Sequence, residues 1–183
     1  MQPLLVLPLL AFVILLTLFL LVLRRAGRFI ASTRDVERFR RQVGDLATRV
    51  ETSLGEICQR VDAVRRGQLG ADQVADDLTA SLDAVGQYEA EAKQLHPPAD
   101  GRAIREAIVA ELARAARALE MIEHGRGIQA SARSGGREIE AQTAIKRGYL
   151  NVLHAREAIA LQAKAARALA ATDEASRFQR RNA

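Results

Sequence analysis

The chain has 183 residues, a formal net charge of +5 at pH 7, one cysteine and no tryptophan. A single cysteine excludes an internal disulfide, and an aromatic content of 4% predicts a core of aliphatic side chains. The cations gather after the first apolar run and at the C-terminus, while the middle of the chain is mixed in sign. This distribution indicates a membrane-facing charge and not a nucleic-acid surface.

The first feature along the chain is an uncharged apolar run from Leu4 to Leu23. A helix needs about 20 such residues to cross the roughly 30 Å hydrocarbon core of a bilayer. A cleaved signal peptide is the alternative, but no Lys or Arg precedes the run, and Arg24 and Arg25 stand where small residues should precede a cleavage site. We therefore predict a transmembrane helix over 4–23.

Basic residues follow the apolar run, and none precedes it. The membrane-proximal cations are Arg24, Arg25, Arg28 and Arg34. Because such an excess marks the cytoplasmic side of a span, we expect residues 1–3 outside, a basic juxtamembrane segment over 24–31, and the rest of the chain in the cytoplasm at the cell membrane. The cluster either attracts anionic lipids or serves only to set the topology.

Valine and isoleucine recur every seven residues in the next stretch. The stripe consists of Val36, Val43, Val50, Ile57 and Val64. Such β-branched spacing is typical of a parallel coiled coil, which would make it the self-association stripe of a homo-oligomer; the same stripe can equally face helices of its own chain. Polar Ser53 and Arg60 in the companion positions favour the intramolecular bundle.

The stripe predicts a helix over 33–66, capped at its start by Ser32 or Thr33. Gly67 follows it and suits the positive φ of a helix C-terminus. Cys58 directly follows Ile57 of the stripe and so occupies the next heptad position. We therefore expect its thiol to point outward.

Three further helices are predicted downstream, over 72–95, 100–123 and 128–171, followed by a basic flexible tail over 172–183. The last of these helices begins either after segment 124–127 or after Gly135-Gly136. Asp72 and Asp100 are the expected caps of the first two, Pro97-Pro98 separates them, and the glycine-containing segment 124–127 ends the third. The connections are short, so neighbouring helices should be antiparallel. We predict an all-α protein: a transmembrane helix and an up-down four-helix bundle over 32–171 whose first and fourth helices are long.

The sequence contains no constellation typical of a catalytic, cofactor-binding or metal-binding site. His96, His124 and His154 lack the paired Glu-x-x-His spacing of di-iron bundles, and Cys58 has no placed histidine partner. We expect no cofactor, no metal and no enzymatic activity. Arg156 lies within the apolar stripe of the fourth helix, where it either pairs with a carboxylate inside the bundle or extends its head to water.

This layout of an outward N-terminus, one span and a long-helix cytoplasmic bundle resembles that of the LemA-type membrane proteins. The tryptophan and the Ile-Asp-Val-Gln-Leu-Lys-Arg-Arg run that mark that family have no counterpart between Phe39 and Leu54. The resemblance concerns architecture and implies no site residue.

The expected function is that of a scaffold or protein-interaction module at the cytoplasmic membrane face. Its expected partners are the lipid bilayer with its anionic lipids, other membrane or cytoplasmic proteins, and a second copy of the chain; nucleic acid is not expected. The alternative is a membrane-bound sensor that binds a small ligand between its helices, with the bundle outside the cytoplasm.

Overall fold

The computed structural model describes the backbone of residues 6–131 and 137–181, and the side chains of residues 15–21, 34–131 and 137–169. All regular structure in these ranges is helical, which confirms the predicted all-α class. The four α-helices are α1 (Val6–Arg65), α2 (Ala75–Gln94), α3 (Arg102–Ser131) and α4 (Glu138–Arg181). Short 3₁₀ helices over Ala71–Val74 and Ala99–Gly101 precede α2 and α3.

Helix α1 is continuous through the segment where we predicted a non-helical connection. It runs over 60 residues, so the expected helix start at Ser32 or Thr33 is wrong. The reason is local: segment 24–31 contains no proline, and the single Gly27 costs only about 1 kcal/mol in a helix interior.

The predicted span over 4–23 lies partly outside the described residues, since the described backbone begins at Val6. Within the part of the chain that the structure describes, no helix combines the length and apolarity needed to cross a bilayer.

The C-terminus of α1 confirms the role predicted for Gly67, which has φ +70°. The Gly67 N–H donates to the Val64 carbonyl at 3.0 Å, and the Gln68 N–H donates to the Ala63 carbonyl at 2.9 Å. These two bonds form a Schellman motif, in which a left-handed residue satisfies the last helix carbonyls.

The predicted acidic caps of the next two helices are not used. Gly70 precedes the first 3₁₀ helix, and its N–H donates to the Gln73 side chain at 3.0 Å. Pro98 occupies the corresponding position before Ala99–Gly101. Asp72 instead accepts a hydrogen bond from Arg126 of α3 at 3.4 Å, so its carboxylate ties this connection to the bundle.

Helix α3 is longer than predicted, and α4 ends further along the chain than predicted. Helix α3 continues through segment 124–127 to Ser131 and does not end at Glu123. Helix α4 begins at Glu138, which agrees with the predicted alternative start after Gly135-Gly136. It extends past Ala171 to Arg181, so most of the expected flexible tail has a helical backbone. Alanine has the highest helix propensity, so the alanine-rich end of α4 favours continuation of the helix into the tail.

Each helix of the bundle packs on two others: α1 packs on α2 and α4, and α3 packs on α2 and α4. This arrangement confirms the predicted helical bundle. The α3–α4 contact is the most extensive and the α1–α2 contact the least. The core between them is almost wholly aliphatic, and its largest fully buried side chains include Phe39, Leu46, Leu54, Ile57, Leu78, Ile108, Leu112 and Leu119.

Candidate functional site

The interior of the bundle is filled by apolar side chains. Among the described residues no polar or charged side chain is fully buried. A cavity lined by Val61, Val74, Ile122 and Ile145 has a volume of about 10 Å³, about the space of one water molecule. Among the described residues, the larger openings lie on the surface of the bundle.

The stripe that we considered for self-association is part of this interior. Val43, Val50 and Ile57 are each at most 2% exposed, and Val64 packs against the same core from its edge. Other helices of the same chain cover these residues, as in the intramolecular alternative. The self-association of the chain stays a prediction, and another surface would have to provide it.

A surface groove runs between α1 and α2, where the two helices are in least contact. Its volume is about 460 Å³. On the α2 side it is lined by short side chains: Ala80, Ser81 and Ala84. On the α1 side the lining includes Glu56, Ile57 and Gln59. The short side chains on α2 leave the groove open, because they do not fill the space between the two helices.

Polar contacts bridge α1 and α2 at one end of this groove. The Arg60 Nε lies 2.5 Å from the Asp77 Oδ2, and the Arg60 Nη2 donates to the Gln73 carbonyl at 2.8 Å. Arg60 was one of the two polar residues that favoured the intramolecular bundle, and its partners lie in the same chain, on α2 and on the 3₁₀ helix that precedes it.

A second set of contacts closes the other end. The Ser53 and Tyr88 hydroxyls are 2.9 Å apart, and Arg49 donates to both oxygens of the Glu91 carboxylate at 2.5 and 2.6 Å. The Arg49 guanidinium also lies over the Tyr88 ring, 5.4 Å from its centroid. The groove therefore lies between two sets of polar contacts that join α1 and α2, which we call clamps: Arg60 with Asp77 at one end, and Ser53 with Tyr88 and Arg49 with Glu91 at the other.

The opposite interface, between α3 and α4, is closed by glycine. A Cβ atom added to Gly148 would lie 2.6 Å from Ile122 Cγ1 and 2.7 Å from the Ala118 carbonyl oxygen. A Cβ added to Gly125 would lie 2.8 Å from the Ala141 carbonyl oxygen. We predicted Gly125 as part of a helix break; it is instead a packing residue, because a hydrogen in place of a side chain lets the two backbones approach.

Cys58 is buried, with 5% of its surface exposed, so the prediction that it points outward is wrong. Helix α1 is covered by α2 on one side and by α4 on another, so its buried arc is wider than a two-position heptad stripe. Removal from water raises the pKa of the Cys58 thiol to about 11. The thiol is consequently inert at neutral pH and is no candidate nucleophile.

Arg156 combines features of both predicted alternatives. Its side chain is 27% exposed, packs beside Gly55 of α1, and places Nε 3.2 Å from the Glu51 Oε2. Glu51 is itself 53% exposed, so the pair forms at the bundle surface and not in its interior. The aliphatic part of Arg156 packs while its charged head reaches water and a carboxylate.

Of the predicted membrane-proximal cations, Arg34 is exposed, and the side chains of Arg24, Arg25 and Arg28 lie outside the described residues. The apolar side chains of α1 that are described near them are also exposed. Leu15, Leu18 and Leu21 are 71%, 59% and 64% exposed.

The three histidines are all exposed and lie in different parts of the bundle. Within the described ranges, no group of three or more His, Cys, Asp and Glu residues is placed to hold a metal ion. Sequence reasoning missed the groove because its α2 side consists mostly of alanine and serine. The usable signal was the recurrence of small residues at Ala80, Ser81 and Ala84, on a face of α2 next to its apolar stripe.

Comparison with family models, with curated proteins and with solved structures finds no match for this chain. The resemblance to LemA-type proteins thus rests on layout alone, and function has to be argued from the geometry above.

Proposed function

We propose that this protein is a single-pass membrane-anchored helical bundle that holds a partner protein at the cytoplasmic membrane face. The partner docks one of its helices in the α1–α2 groove. The observation that carries the proposal is the groove itself: an opening of about 460 Å³, floored by short side chains and held open by polar clamps at both ends.

A helix is the partner element that fits this shape. The lining residues span 53–60 on α1 and 77–84 on α2, so the groove follows the helices for about 10 Å. Packed helices lie about 8–10 Å apart, and small side chains at the contact allow the closer separations. Ala80 and Ala84 provide such a surface on α2, and Glu56 on the α1 side favours a partner helix with a basic flank.

The apolar start of α1 supports the anchoring part of the proposal. Six described side chains there are between 48% and 71% exposed: Leu15, Leu16, Leu18, Phe19, Leu20 and Leu21. Complete burial of one such side chain is worth roughly 1.5–3 kcal/mol, so a bilayer around this helix would stabilise it strongly. The arginines that follow assign the bundle to the cytoplasmic side by the positive-inside rule.

The alternative is a sensor that binds a small ligand between its helices, with the bundle outside the cytoplasm. A ligand enclosed between the helices of the bundle would need a cavity of several hundred Å³. The interior cavity lined by Val61, Val74 and Ile122 measures about 10 Å³, which favours the docking function over the sensor.

Site-specific photocrosslinking tests the docking site. A photoreactive residue placed at Ser81, in the groove, should capture a discrete partner in cells, while the same residue at exposed Ala110 of α3 should not. An Ala84→Arg substitution, which fills the groove, should abolish the Ser81 adduct while the helical circular dichroism signal remains. Equal capture at both positions, or capture that survives Ala84→Arg, would reject the groove as the docking site.

Cysteine labelling tests the topology. Because Cys58 is buried, the probe is Ala80→Cys in a chain that also carries Cys58→Ala. A membrane-impermeant maleimide should label this exposed cysteine only after the cells are permeabilised. Labelling of intact cells would place the bundle outside the cytoplasm and would favour the sensor function over the docking function.

A further inference from the structure

A second surface opening, at the turn between α2 and α3, is distinguished by its charge. This basic cleft has a volume of about 510 Å³, and its charged or ionisable lining consists of Lys93, His96, Arg102 and Arg105. No carboxylate is part of the lining, and buried Leu95 forms its apolar floor.

Most arginines in the described part of the chain are differently placed, because they pair closely with carboxylates. Arg40 and Arg41, for example, both donate to Glu37, at 2.7 and 2.8 Å. These two hydrogen bonds lower the pKa of Glu37 to about 2, so that pair of cations is partly neutralised.

The cations of the basic cleft are less compensated. Lys93 pairs with Glu89 at 2.6 Å, but Arg105 has Glu106 only at 3.8 Å. Within the described ranges, no carboxylate lies within 4.0 Å of the Arg102 guanidinium. The cleft therefore retains a net positive charge that the protein itself does not neutralise.

The backbone that holds this charge is rigid. Pro97 and Pro98 restrict the turn, and Gly101 is buried against α1. A Cβ atom at Gly101 would lie 2.9 Å from the Phe39 ring, which shows how closely the turn is seated. Arg102 and Arg105 follow at a spacing of three on α3, so their side chains project from neighbouring positions of one helix face.

We propose that the basic cleft binds a phosphate group, carried either by a soluble small molecule or by a lipid headgroup. Guanidinium groups bind phosphate oxygens through two parallel N–H donors, and two of them beside a lysine match a doubly charged group better than a single carboxylate. The volume of the cleft is in the range of small-molecule sites.

The structure bears on both sources. Helix α2 returns toward the start of the bundle, so the turn packs at the level of Phe39 and faces the proposed membrane. From Leu23 to Phe39 is 16 residues of continuous α1, or about 24 Å. A lipid headgroup therefore reaches the cleft only if α1 is tilted, whereas a soluble phosphate compound reaches it in any orientation.

Titration of inorganic pyrophosphate by calorimetry, with the full chain in nanodiscs of neutral lipid, tests the proposal. The wild type should bind saturably, and Arg102→Gln with Arg105→Gln should weaken the binding at least tenfold. The matched control is Arg114→Gln with Arg117→Gln, which removes the same charge from α3 outside the cleft and should leave the affinity unchanged. The variant Arg102→Lys with Arg105→Lys keeps the charge and should recover part of the affinity.

A second set of nanodiscs, containing a phosphoinositide, separates the two sources. If the natural ligand is a lipid headgroup, the phosphoinositide should compete with pyrophosphate in the wild type; if it is soluble, pyrophosphate binding should be unaffected. The site is confirmed in either case. The absence of saturable binding in neutral nanodiscs, or equal weakening by the control pair, would overturn the proposal.

Discussion

Between α3 and α4 small residues bring two backbones together, whereas between α1 and α2 small residues leave a groove open. Gly125 and Gly148 have no space for even one added carbon atom. Ala80 and Ala84 line an opening of about 460 Å³. The comparison shows that a small residue closes an interface only where the facing backbone advances into the space; where clamps keep the helices apart, the same residue type makes a surface.

The largest expected difference is between the reactivity of a thiol in the packed core, at Cys58, and that of a thiol in the open α1–α2 groove, at Ala80→Cys. Cys58 should react with maleimide more than a hundredfold more slowly than Ala80→Cys in the Cys58→Ala chain, because its pKa is raised from 9.0 to about 11 and it is buried. Labelling rates near pH 7.5 measure this. Similar rates would show that α1 opens readily next to α4.

The same raised pKa of Cys58 makes stability depend on pH. Above pH 9 the thiol ionises in the unfolded chain but stays protonated in the folded one, so the free energy of unfolding should fall as pH rises from about 9 to 11. Unfolding of the Cys58→Ala variant should lack this component, and an identical pH profile in both chains would contradict the assignment.

Among substitutions that change stability, Gly148→Ala should have the largest effect, a loss of about 2–4 kcal/mol, because the added carbon meets the α3 backbone and forces the helices apart. Urea unfolding measures the loss. The control is Gly86→Ala on α2, where nothing lies within 4 Å of the added carbon; the better helix propensity of alanine should stabilise the protein by about 0.5–1 kcal/mol. A neutral Gly148→Ala would mean that the α3–α4 interface is looser than the structure shows.

Gly125→Ala should cost about 1–3 kcal/mol, less than the change at Gly148, because Gly125 is closer to the end of α3. Gly127 is two residues away on the same helix and has open space around it, so Gly127→Ala should be neutral or slightly stabilising. Thermal unfolding of the two variants separates two effects at neighbouring positions: the steric cost of an added carbon atom at the α3–α4 interface, and the gain in helix propensity from glycine to alanine. Equal melting temperatures would restore the interpretation of segment 124–127 as a simple helix break.

At the clamp of the open interface, Tyr88→Phe should cost about 0.5–1.5 kcal/mol, the contribution of one hydrogen bond to Ser53. Tyr149→Phe is the control, since that ring lies under Arg65, 4.6 Å from the guanidinium carbon, and keeps this contact without its hydroxyl. If both variants unfold at the same urea concentration, the Ser53–Tyr88 bond does not hold the groove.

Substitution inside the α1–α2 groove should have the smallest effect on the free energy of unfolding. Ala80→Leu should change the free energy of unfolding by no more than about 0.5 kcal/mol, because the side chain is exposed and the groove has room for it. A loss comparable with that of Gly148→Ala would show that the groove closes in solution.

Several features of the fold were predictable because they depend on local periodicity or on one residue type. The stripe of Val43, Val50 and Ile57 identified the buried face of α1, and Gly67 identified its end, since a positive φ costs glycine nothing. The α1–α2 groove could not be predicted from local sequence patterns. Its polar partners, Arg60 with Asp77 and Ser53 with Tyr88, are distant in sequence, so their pairing depends on the register between helices.

The sequence by itself determined that the protein is helical, that its core is aliphatic, and where the proline turn and the end of α1 lie, because hydrophobic spacing and backbone conformation are properties of neighbouring residues. Only the tertiary structure decided that Cys58 is buried and that Gly125 packs within a continuous helix. It also decided that α1 and α2 leave a groove between them. The physical reason is that burial and close approach depend on which other helix lies opposite a residue, and a one-helix pattern does not contain that information.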